Sequence, residues 1–135
     1  MIQIIQVKQI PQADLKFFYS EALTQEVSQL ITFQTDWETG FRRFLHPGEG
    51  LFLVKKEGQT IGFGSVVVAP DAPLTAGIGL INHCFILPLE RKKGYGNQLF
   101  KHLRQFAQIN FGILYLNEAC PLYERMNGSI DLVSN

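Results

Sequence analysis

A basic turn with two glycines follows an apolar stretch of this sequence and precedes a segment with helical spacing; it reads Arg91-Lys92-Lys93-Gly94-Tyr95-Gly96. Backbone N–H groups at a helix start have no acceptor within the helix, and the helix dipole favours an anion there. Gly94 and Gly96 place no side chain in the path of a phosphate. The turn is therefore predicted to bind an anion, and its three consecutive cations fit a pyrophosphate better than a single carboxylate.

Two common nucleotide-binding motifs do not match this turn. A dinucleotide-binding fingerprint requires a third glycine at the position of Leu99, and a P-loop requires Lys and then Ser or Thr where Asn97-Gln98 stands. A shorter phosphate cradle, formed by the backbone N–H groups of residues 92–97, remains. The alternative interpretation is a solvated basic helix start in which the glycines serve only chain geometry.

A polar pair and a thiol interrupt the apolar stretch before the turn. Asn82 and His83 break its pattern, and departures from a local pattern often mark function. The unperturbed pKa of histidine suits a general base, although a histidine satisfied by hydrogen bonds is the alternative. Cys84 is a possible nucleophile, but a buried structural cysteine is the more common role.

The composition is that of one globular domain. The chain has 135 residues, of which 46% are hydrophobic and 18% charged, enough to bury a single core. A net charge of zero gives no general attraction to nucleic acid or to an anionic membrane. Cys84 and Cys120 make neither a disulfide framework nor a four-ligand metal site, so no metal is predicted. Because no membrane-spanning run or signal sequence is present, we expect a cytoplasmic protein.

Apolar periodicity predicts alternating strands and helices in a single domain over residues 1–135. The predicted strands are Ile2–Val7, Leu51–Lys56, Thr60–Ala69, Ile78–Leu87, Ile113–Leu116 and Ser129–Val133. The predicted helices are one from Gln12 to Ile31, a short one around Trp37–Leu45, Gly94–Asn110 and a short one after Pro121. The order β-α-α-β-β-β-α-β-α-β indicates a mixed α/β fold with a central sheet of about six strands flanked by helices.

The strand before the basic turn is expected inside the sheet. Ile78–Leu87 is apolar on both faces apart from its polar pair. Gly94–Asn110 would cross over from it to Ile113–Leu116, which makes these two strands parallel. The turn is therefore expected at the carboxyl end of a central strand.

Two motifs in register resemble the GNAT superfamily of acyl-CoA-dependent N-acetyltransferases. Pro88-x-x-Arg91-x-x-Gly94-x-Gly96, between an apolar strand and an amphipathic helix, is similar to motif A of that family. Ala119-x-x-Leu122-Tyr123-Glu124-Arg125-x-x-Gly128 is similar to its Ala-x-x-x-Tyr-Glu-Lys-x-Gly-Phe segment. The predicted order of elements is also the family's order, so the resemblance covers nearly the whole chain.

The resemblance implies acetyl-CoA as co-substrate, without a metal. The pyrophosphate of coenzyme A would be held by Arg91, Lys92, Lys93, Gly94, Tyr95, Gly96 and Asn97. The strand Ile78–Leu87 would splay from Ile113–Leu116, and pantetheine would lie in the opening. It would bond to the backbone near Phe85, Ile86 and Leu87, where an N–H group would stabilise the oxyanion of the tetrahedral intermediate.

The resemblance further implies direct attack of a primary amine on the thioester, with Tyr123 as general acid. A tyrosine of reference pKa ~10 is protonated at neutral pH and can donate to a departing thiolate of pKa ~8.5. The alternative for Tyr123 is an ordinary half-buried helix tyrosine. His83 is the candidate base and Glu118 a weaker one, while Cys120 is expected to be structural.

The acceptor side is the least specified part of the sequence. Trp37, Phe41 and Phe44 lie where the family builds its acceptor wall, and Asp36 and Glu38 would attract a cation there. Core packing is the alternative for the aromatic residues, because their spacing is helical. The acceptor is therefore expected to be a small-molecule or protein amine of unspecified identity.

Three departures from the family pattern affect that side. Gly128-Ser129 replaces Gly-Phe, Leu116 replaces an asparagine often found before the tyrosine, and one terminal strand is predicted where the family usually has two. This shortened C-terminus would leave an edge strand that pairs with a second copy, so a homodimer is expected. The alternative to an enzyme is a non-catalytic acyl-CoA-binding or interaction module on the same fold.

Overall fold

The computed structural model describes residues 1–40, 44–70, 73, 76–117 and 129–132. A mixed sheet with the strand order β1-β2-β3-β4-β5-β6 is flanked by helices. The strands are β1 Ile2–Val7, β2 Gly50–Lys56, β3 Gln59–Val68, β4 Ile78–Ile86, β5 Ile113–Leu116 and β6 Ser129–Asp131. The predicted residues that lie outside the described ones are Phe41, Glu118, Cys120, Tyr123 and the helix after Pro121.

The parallel pair predicted around the basic turn is confirmed. Strands β4 and β5 are parallel, and the other neighbouring pairs in the described sheet are antiparallel. Strand β4 lies inside the sheet, between β3 and β5, as its apolar sequence predicted. The basic turn therefore follows a central strand, with a crossover helix after it.

The single helix predicted from Gln12 to Ile31 is wrong. The helices are α1 Gln12–Glu21, α2 Val27–Glu38 and α3 Tyr95–Gln108, with 3-10 turns at Thr24–Glu26 and Pro88–Glu90. Ala22 and Leu23 are extended, which ends α1. The Leu23 N–H then donates to the Glu26 carboxylate at 3.1 Å and stabilises the new turn that leads into α2.

The short helix predicted around Trp37–Leu45 does not start at Trp37, because this residue belongs to α2, which starts earlier and ends at Glu38; residues 41–43 lie outside the described residues. Gly40 has a φ of 80°, a left-handed conformation in which glycine stops a helix with little strain. Its N–H donates to the Trp37 carbonyl at 3.2 Å and satisfies one of the last carbonyls of α2.

The sheet carries an aromatic core on one face and α3 on the other. Phe18 of α1 and Phe33 of α2 pack against Phe63 of β3, with ring centroids 5.6 and 5.1 Å apart. The next residue, Gly64, turns to the opposite face, where a Cβ would lie 2.9 Å from Leu103 of α3. The fully buried residues of α3 are Leu99, Leu103 and Ala107. This packing fixes α3 on the sheet and thereby positions the turn before it.

Gly62 of β3 touches the end of β4 so closely that Gly62→Ala is expected to destabilise the fold. A Cβ there would overlap the Phe85 carbonyl oxygen and lie 2.8 Å from Cδ1 of Ile86. Because the first neighbour is backbone, the strands must move apart, and such overpacking costs about 1–3 kcal/mol. Chemical denaturation checks this against Gly96→Ala, where nothing lies within 4 Å of a Cβ. Equal unfolding free energies of the two variants would contradict the close approach of β3 and β4.

Candidate functional site

The basic turn enters α3 through two residues in the left-handed conformation. Lys92 has a φ of 63° and Gly94 a φ of 86°, and α3 begins at Tyr95. The Gln98 N–H donates to the Gly94 carbonyl at 3.1 Å. Within the described chain, the N–H groups of residues 92–97 have no backbone acceptor. The turn thus presents several N–H donors in one place, as an anion cradle requires.

Space for an anion lies over this turn. No atom comes within 4 Å of the position that a Cβ would take at Gly94 or Gly96. A cleft of about 360 Å³, here called the turn cleft, runs from the turn along the end of β4. Its lining residues are Glu26, Gln29, Cys84, Phe85, Ile86, Arg91, Lys92 and Gly96. A phosphate group can therefore approach the N–H donors from this cleft.

Arg91 is bound to two other parts of the fold. Its Nε donates to the Ile86 carbonyl at 2.7 Å, and its guanidinium lies 2.6 Å from the Glu26 carboxylate. The guanidinium also lies 5.6 Å from the centroid of the Phe85 ring. Arg91 therefore joins the end of β4 to the turn that precedes α2, and Glu26 balances its charge.

Glu90 neutralises two lysines beside the turn. Its carboxylate accepts from Lys56 Nζ at 2.9 Å and from Lys93 Nζ at 3.1 Å. The hydrogen bonds from Lys56 and then Lys93 lower the pKa of Glu90, and the bond to Glu90 raises the pKa of Lys56. Lys92 alone of the three consecutive cations has no carboxylate partner in the part of the chain that the structure describes. The backbone N–H groups therefore matter more for an anion than the run of cations in the sequence suggests.

A β-bulge interrupts β4 at the polar pair. Ser65 lies opposite His83 and Val66 lies opposite Ile81, so Asn82 is an extra residue on β4. Bulges turn side chains out of the regular alternation and occur often beside active sites. Asn82 and His83 consequently line the same cleft although they are consecutive. The bulge was not predicted, and the polar pair within an apolar strand was its sequence signal.

The bulge also marks the point at which β4 and β5 separate. Their parallel pairing ends with Ile81 opposite Leu116. The Asn117 N–H donates to the Ile81 carbonyl at 2.9 Å, and the Asn117 Nδ2 donates to Asn82 Oδ1 at 3.0 Å. Strand β4 then continues to Ile86 without a β5 partner. Among the described residues, β4 thus has an open edge that leads from the bulge to the basic turn.

A second cleft, of about 270 Å³, lies between α2 and the bulge and is here called the polar cleft. Its lining residues are Ser28, Gln29, Thr32, Asp36, Asn82, His83 and Asn117. Gln29 also lines the turn cleft, so the two clefts meet at this residue. The open edge of β4 therefore connects the basic turn to a polar cavity.

His83 is held firmly at the base of the polar cleft. The residue is 8% exposed, and its Nδ1 lies 3.1 Å from the Oγ of Ser65, which is also buried. The rings of Phe33 and Phe63 pack on the imidazole, with centroids 5.2 and 5.7 Å away. The structure thus places His83, the candidate base, at the polar cleft. It also gives the imidazole a buried hydrogen-bond partner, as expected for a histidine with only a structural role.

Cys84 lines the turn cleft rather than the polar cleft. Successive residues beyond the bulge point to opposite faces of the strand, so the thiol and the His83 imidazole are directed apart. This arrangement gives no support to a nucleophilic cysteine activated by His83.

Two of the aromatic residues predicted as an acceptor wall, Trp37 and Phe44, lie away from the polar cleft. Trp37 and Phe44 stack with ring centroids 6.4 Å apart and line a separate cavity of about 400 Å³ beside β1 and β2. Of the acidic pair, Asp36 lines the polar cleft, whereas the Glu38 carboxylate accepts a hydrogen bond from a glutamine of α2 at 3.0 Å. The structure therefore brings Asp36, but not Trp37 or Phe44, to the bulge.

Neither metal-binding nor membrane-spanning features occur in the described part of the chain. Within it, no group of three or more His, Cys, Asp or Glu side chains is arranged to hold a metal ion. None of its helices combines the length and the apolar character that crossing a bilayer requires.

The structure is an α/β domain in which two joined clefts lie along the open edge of a mixed sheet, beside the basic turn. The model of the acetyltransferase (GNAT) family matches residues 7–128. The chain therefore belongs to the GNAT acetyltransferase family. Membership confirms the resemblance drawn from the two motifs and identifies the chain as an acyltransferase of a family that uses acyl-CoA.

Solved structures share the fold. The "putative acetyltransferase" from Exiguobacterium sp. 255-15 superposes with a TM-score of 0.77 at 17% identity, over 99% of this chain and 95% of that one. An N-acetyltransferase from Staphylococcus aureus Mu50 gives 0.61 at 17% identity, over 98% and 99%. A GNAT-family acetyltransferase from the same organism gives 0.63 at 16% identity, over 86% and 72%. At these identities the likeness establishes the fold alone. No curated protein sequence matches the chain significantly.

Proposed function

We propose that this chain is an N-acetyltransferase that transfers an acetyl group from acetyl-CoA to a primary amine by direct attack. The observation that carries the proposal is the meeting of the turn cleft and the polar cleft at Gln29, along the open edge of β4. A donor with its phosphates on the turn and an acceptor in the polar cleft would meet beside that edge. Room for both substrates at once favours direct transfer over an acyl-enzyme.

The turn has the groups that a pyrophosphate needs. The N–H donors of residues 92–97 point away from the helix, and Gly96 leaves their approach open. A hydrogen bond to a charged group contributes about 1.5–3 kcal/mol, so a few such bonds provide substantial affinity. The charge of Lys92 and the α3 dipole add electrostatic attraction for the phosphates, which does not require precise hydrogen-bond geometry.

Strand register indicates which main-chain group would face the pantetheine arm. The Leu87 N–H donates to the Ile61 carbonyl at 2.8 Å, so Leu87 and Phe85 face β3 in the alternating antiparallel pattern. Ile86, between them, turns its N–H and carbonyl to the open edge, where the carbonyl accepts from Arg91. Within the predicted stretch from Phe85 to Leu87, the Ile86 N–H is therefore the donor best placed for the arm or for a developing oxyanion.

In the proposed reaction, the neutral amine attacks the thioester carbonyl carbon, a C–N bond forms and the C–S bond breaks. The amine proton passes to a base, for which His83 is the candidate at the polar cleft. The departing thiolate takes a proton from Tyr123, which a reference pKa of ~10 keeps protonated at neutral pH. The products are an acetamide and free coenzyme A.

Two measurements test this function in sequence. The first is acetyl-CoA affinity by calorimetry, and the second is coenzyme A release across a panel of primary amines. We expect binding, and release with at least one amine. Binding without release on any amine would favour the non-catalytic acyl-CoA-binding module, and absence of binding would contradict both functions.

Assembly as a homodimer and a cytoplasmic location stay predictions. Strands β1 and β6 are the edges of the described sheet. An unpaired strand edge offers backbone groups to a second copy of the chain, which is the interaction that a dimer of this fold would use.

A further inference from the structure

A polar stripe on α2 faces the polar cleft. Ser28, Thr32 and Asp36 are four residues apart, a spacing that places them one above another on a single helix face. All three line the polar cleft. With a rise of about 1.5 Å per residue, the stripe extends about 12 Å from Ser28 to Asp36. A ligand in this cleft would therefore meet α2 along its length.

Thr32 and Asp36 offer hydrogen-bond acceptors on this face. The Thr32 hydroxyl donates to the Ser28 carbonyl at 2.9 Å, so its proton is already used and its lone pairs remain. The Asp36 carboxylate, half-buried, has no hydrogen bond or ion pair with any residue that the structure describes. The described lining of the cleft also contains no lysine or arginine. A ligand group that pairs with Asp36 must bring an N–H donor and a positive charge.

The position of Asp36 separates that charge from the reacting amine. Gln29, where the cleft meets the turn cleft, lies seven positions before Asp36 on α2, or about 10 Å along the helix. Attack on the thioester takes place at the Gln29 end, where the attacking nitrogen must be neutral. A cation held by Asp36 is therefore a second group of the acceptor. The cleft volume of about 270 Å³ lies near the lower end of ligand pockets, which favours a small molecule.

We propose that the acceptor is a small diamine-type molecule, with one amine acetylated and a second cationic group bound by Asp36, and that Asp36 sets this specificity. The proposal rests on the N-acetyltransferase function proposed above. It disfavours free amino acids and other amines that carry a carboxylate, because the carboxylate would face Asp36 and the described lining of the cleft offers it no lysine or arginine.

Three probes of equal chain length test the charge preference. They are 1,4-diaminobutane, 1-aminobutane and 4-aminobutanoate. With the full chain and acetyl-CoA, we expect kcat/KM to be highest for the diamine and about 10- to 100-fold lower for 4-aminobutanoate, the range set by hydrogen bonds to charged groups. Asp36→Asn should remove most of the preference for the diamine over 1-aminobutane, and Asp36→Lys should reverse the order of diamine and 4-aminobutanoate.

Glu38→Gln is the matched control, since it removes a carboxylate from the same helix outside the polar cleft. We expect it to leave all three rates unchanged. Equal kcat/KM for the three probes, or an unchanged preference in Asp36→Asn, would overturn the assignment of Asp36.

Calorimetric binding of the diamine separates this inference from the proposed function. The diamine should bind the wild type and Glu38→Gln, and bind Asp36→Asn at least about tenfold more weakly. Binding that depends on Asp36 without coenzyme A release would support the cleft specificity and contradict acetyl transfer. Diamine binding that Asp36→Asn does not weaken would overturn the inference whether or not acetyl transfer occurs.

Discussion

Gly96→Asp is expected to abolish acetyl-CoA binding while the fold keeps its stability. No atom lies within 4 Å of a Cβ at Gly96, so the new side chain fits without displacing the protein. It would place a carboxylate among the N–H donors of residues 92–97, where the phosphates are proposed to bind. Loss of even two charged hydrogen bonds corresponds to about 100-fold weaker binding or more. The same carboxylate in the first turn of α3 favours the helix by about 0.3–1 kcal/mol.

Calorimetry of acetyl-CoA binding and thermal unfolding together test whether Gly96→Asp loses binding while it keeps its stability. Gln105→Asp is the matched control, because it adds the same charge at an exposed position farther along α3. The control should bind acetyl-CoA like the wild type. If Gly96→Asp also binds normally, the basic turn is not the pyrophosphate site. A large loss of stability would instead show that a side chain at position 96 collides with neighbouring atoms.

Tyr123→Phe is expected to lower kcat by about 10²- to 10⁴-fold, the usual contribution of a general acid, with acetyl-CoA affinity unchanged. Phenylalanine keeps the ring and removes the hydroxyl that is proposed to protonate the departing thiolate. Steady-state release of coenzyme A with the best amine of the panel gives kcat, and calorimetry gives the affinity.

Tyr115→Phe provides the comparison for this second variant. Tyr115 lies on β5, is 44% exposed and has no proposed role in catalysis. Its kcat should match that of the wild type. If Tyr123→Phe retains wild-type kcat, another group supplies the proton, and if it loses acetyl-CoA affinity in parallel, Tyr123 contributes to binding rather than to proton transfer.

Local patterns predicted the features of this fold that depend on near neighbours in sequence. The strand before the turn, the crossover helix and the parallel strand follow from apolar periodicity and from glycine and proline positions. The division between α1 and α2 was missed, because apolar residues recur at helical spacing straight through Ala22 and Leu23. Both helices bury a face on the same side of the sheet, which is why the spacing continues although the helix does not.

The candidate site depended on contacts that sequence spacing does not reveal. The bulge at Asn82 exists only in relation to the register with Ser65 and Val66 on β3. The residues that pair with the basic turn and its neighbour Glu90 are also distant in sequence. Glu26, just before α2, pairs with Arg91, and Lys56, at the end of β2, pairs with Glu90. The motif therefore predicts an anion site at the turn. It does not predict that Glu26 and Glu90 neutralise much of the positive charge of the turn.

In the proposed reaction, the ion pair between Arg91 and Glu26 would link donor binding in the turn cleft to the polar cleft. A phosphate that took the Arg91 guanidinium would compete with Glu26, whose carboxylate also accepts from the Leu23 N–H at the entrance to α2. Four residues of α2 line the polar cleft, so a shift of the first turn of α2 would move one wall of the proposed acceptor site. Such linkage is reciprocal: the factor by which the donor changes acceptor affinity equals the factor by which the acceptor changes donor affinity. Competition for one guanidinium thus predicts that a saturating donor and a saturating acceptor change each other's affinity by the same factor.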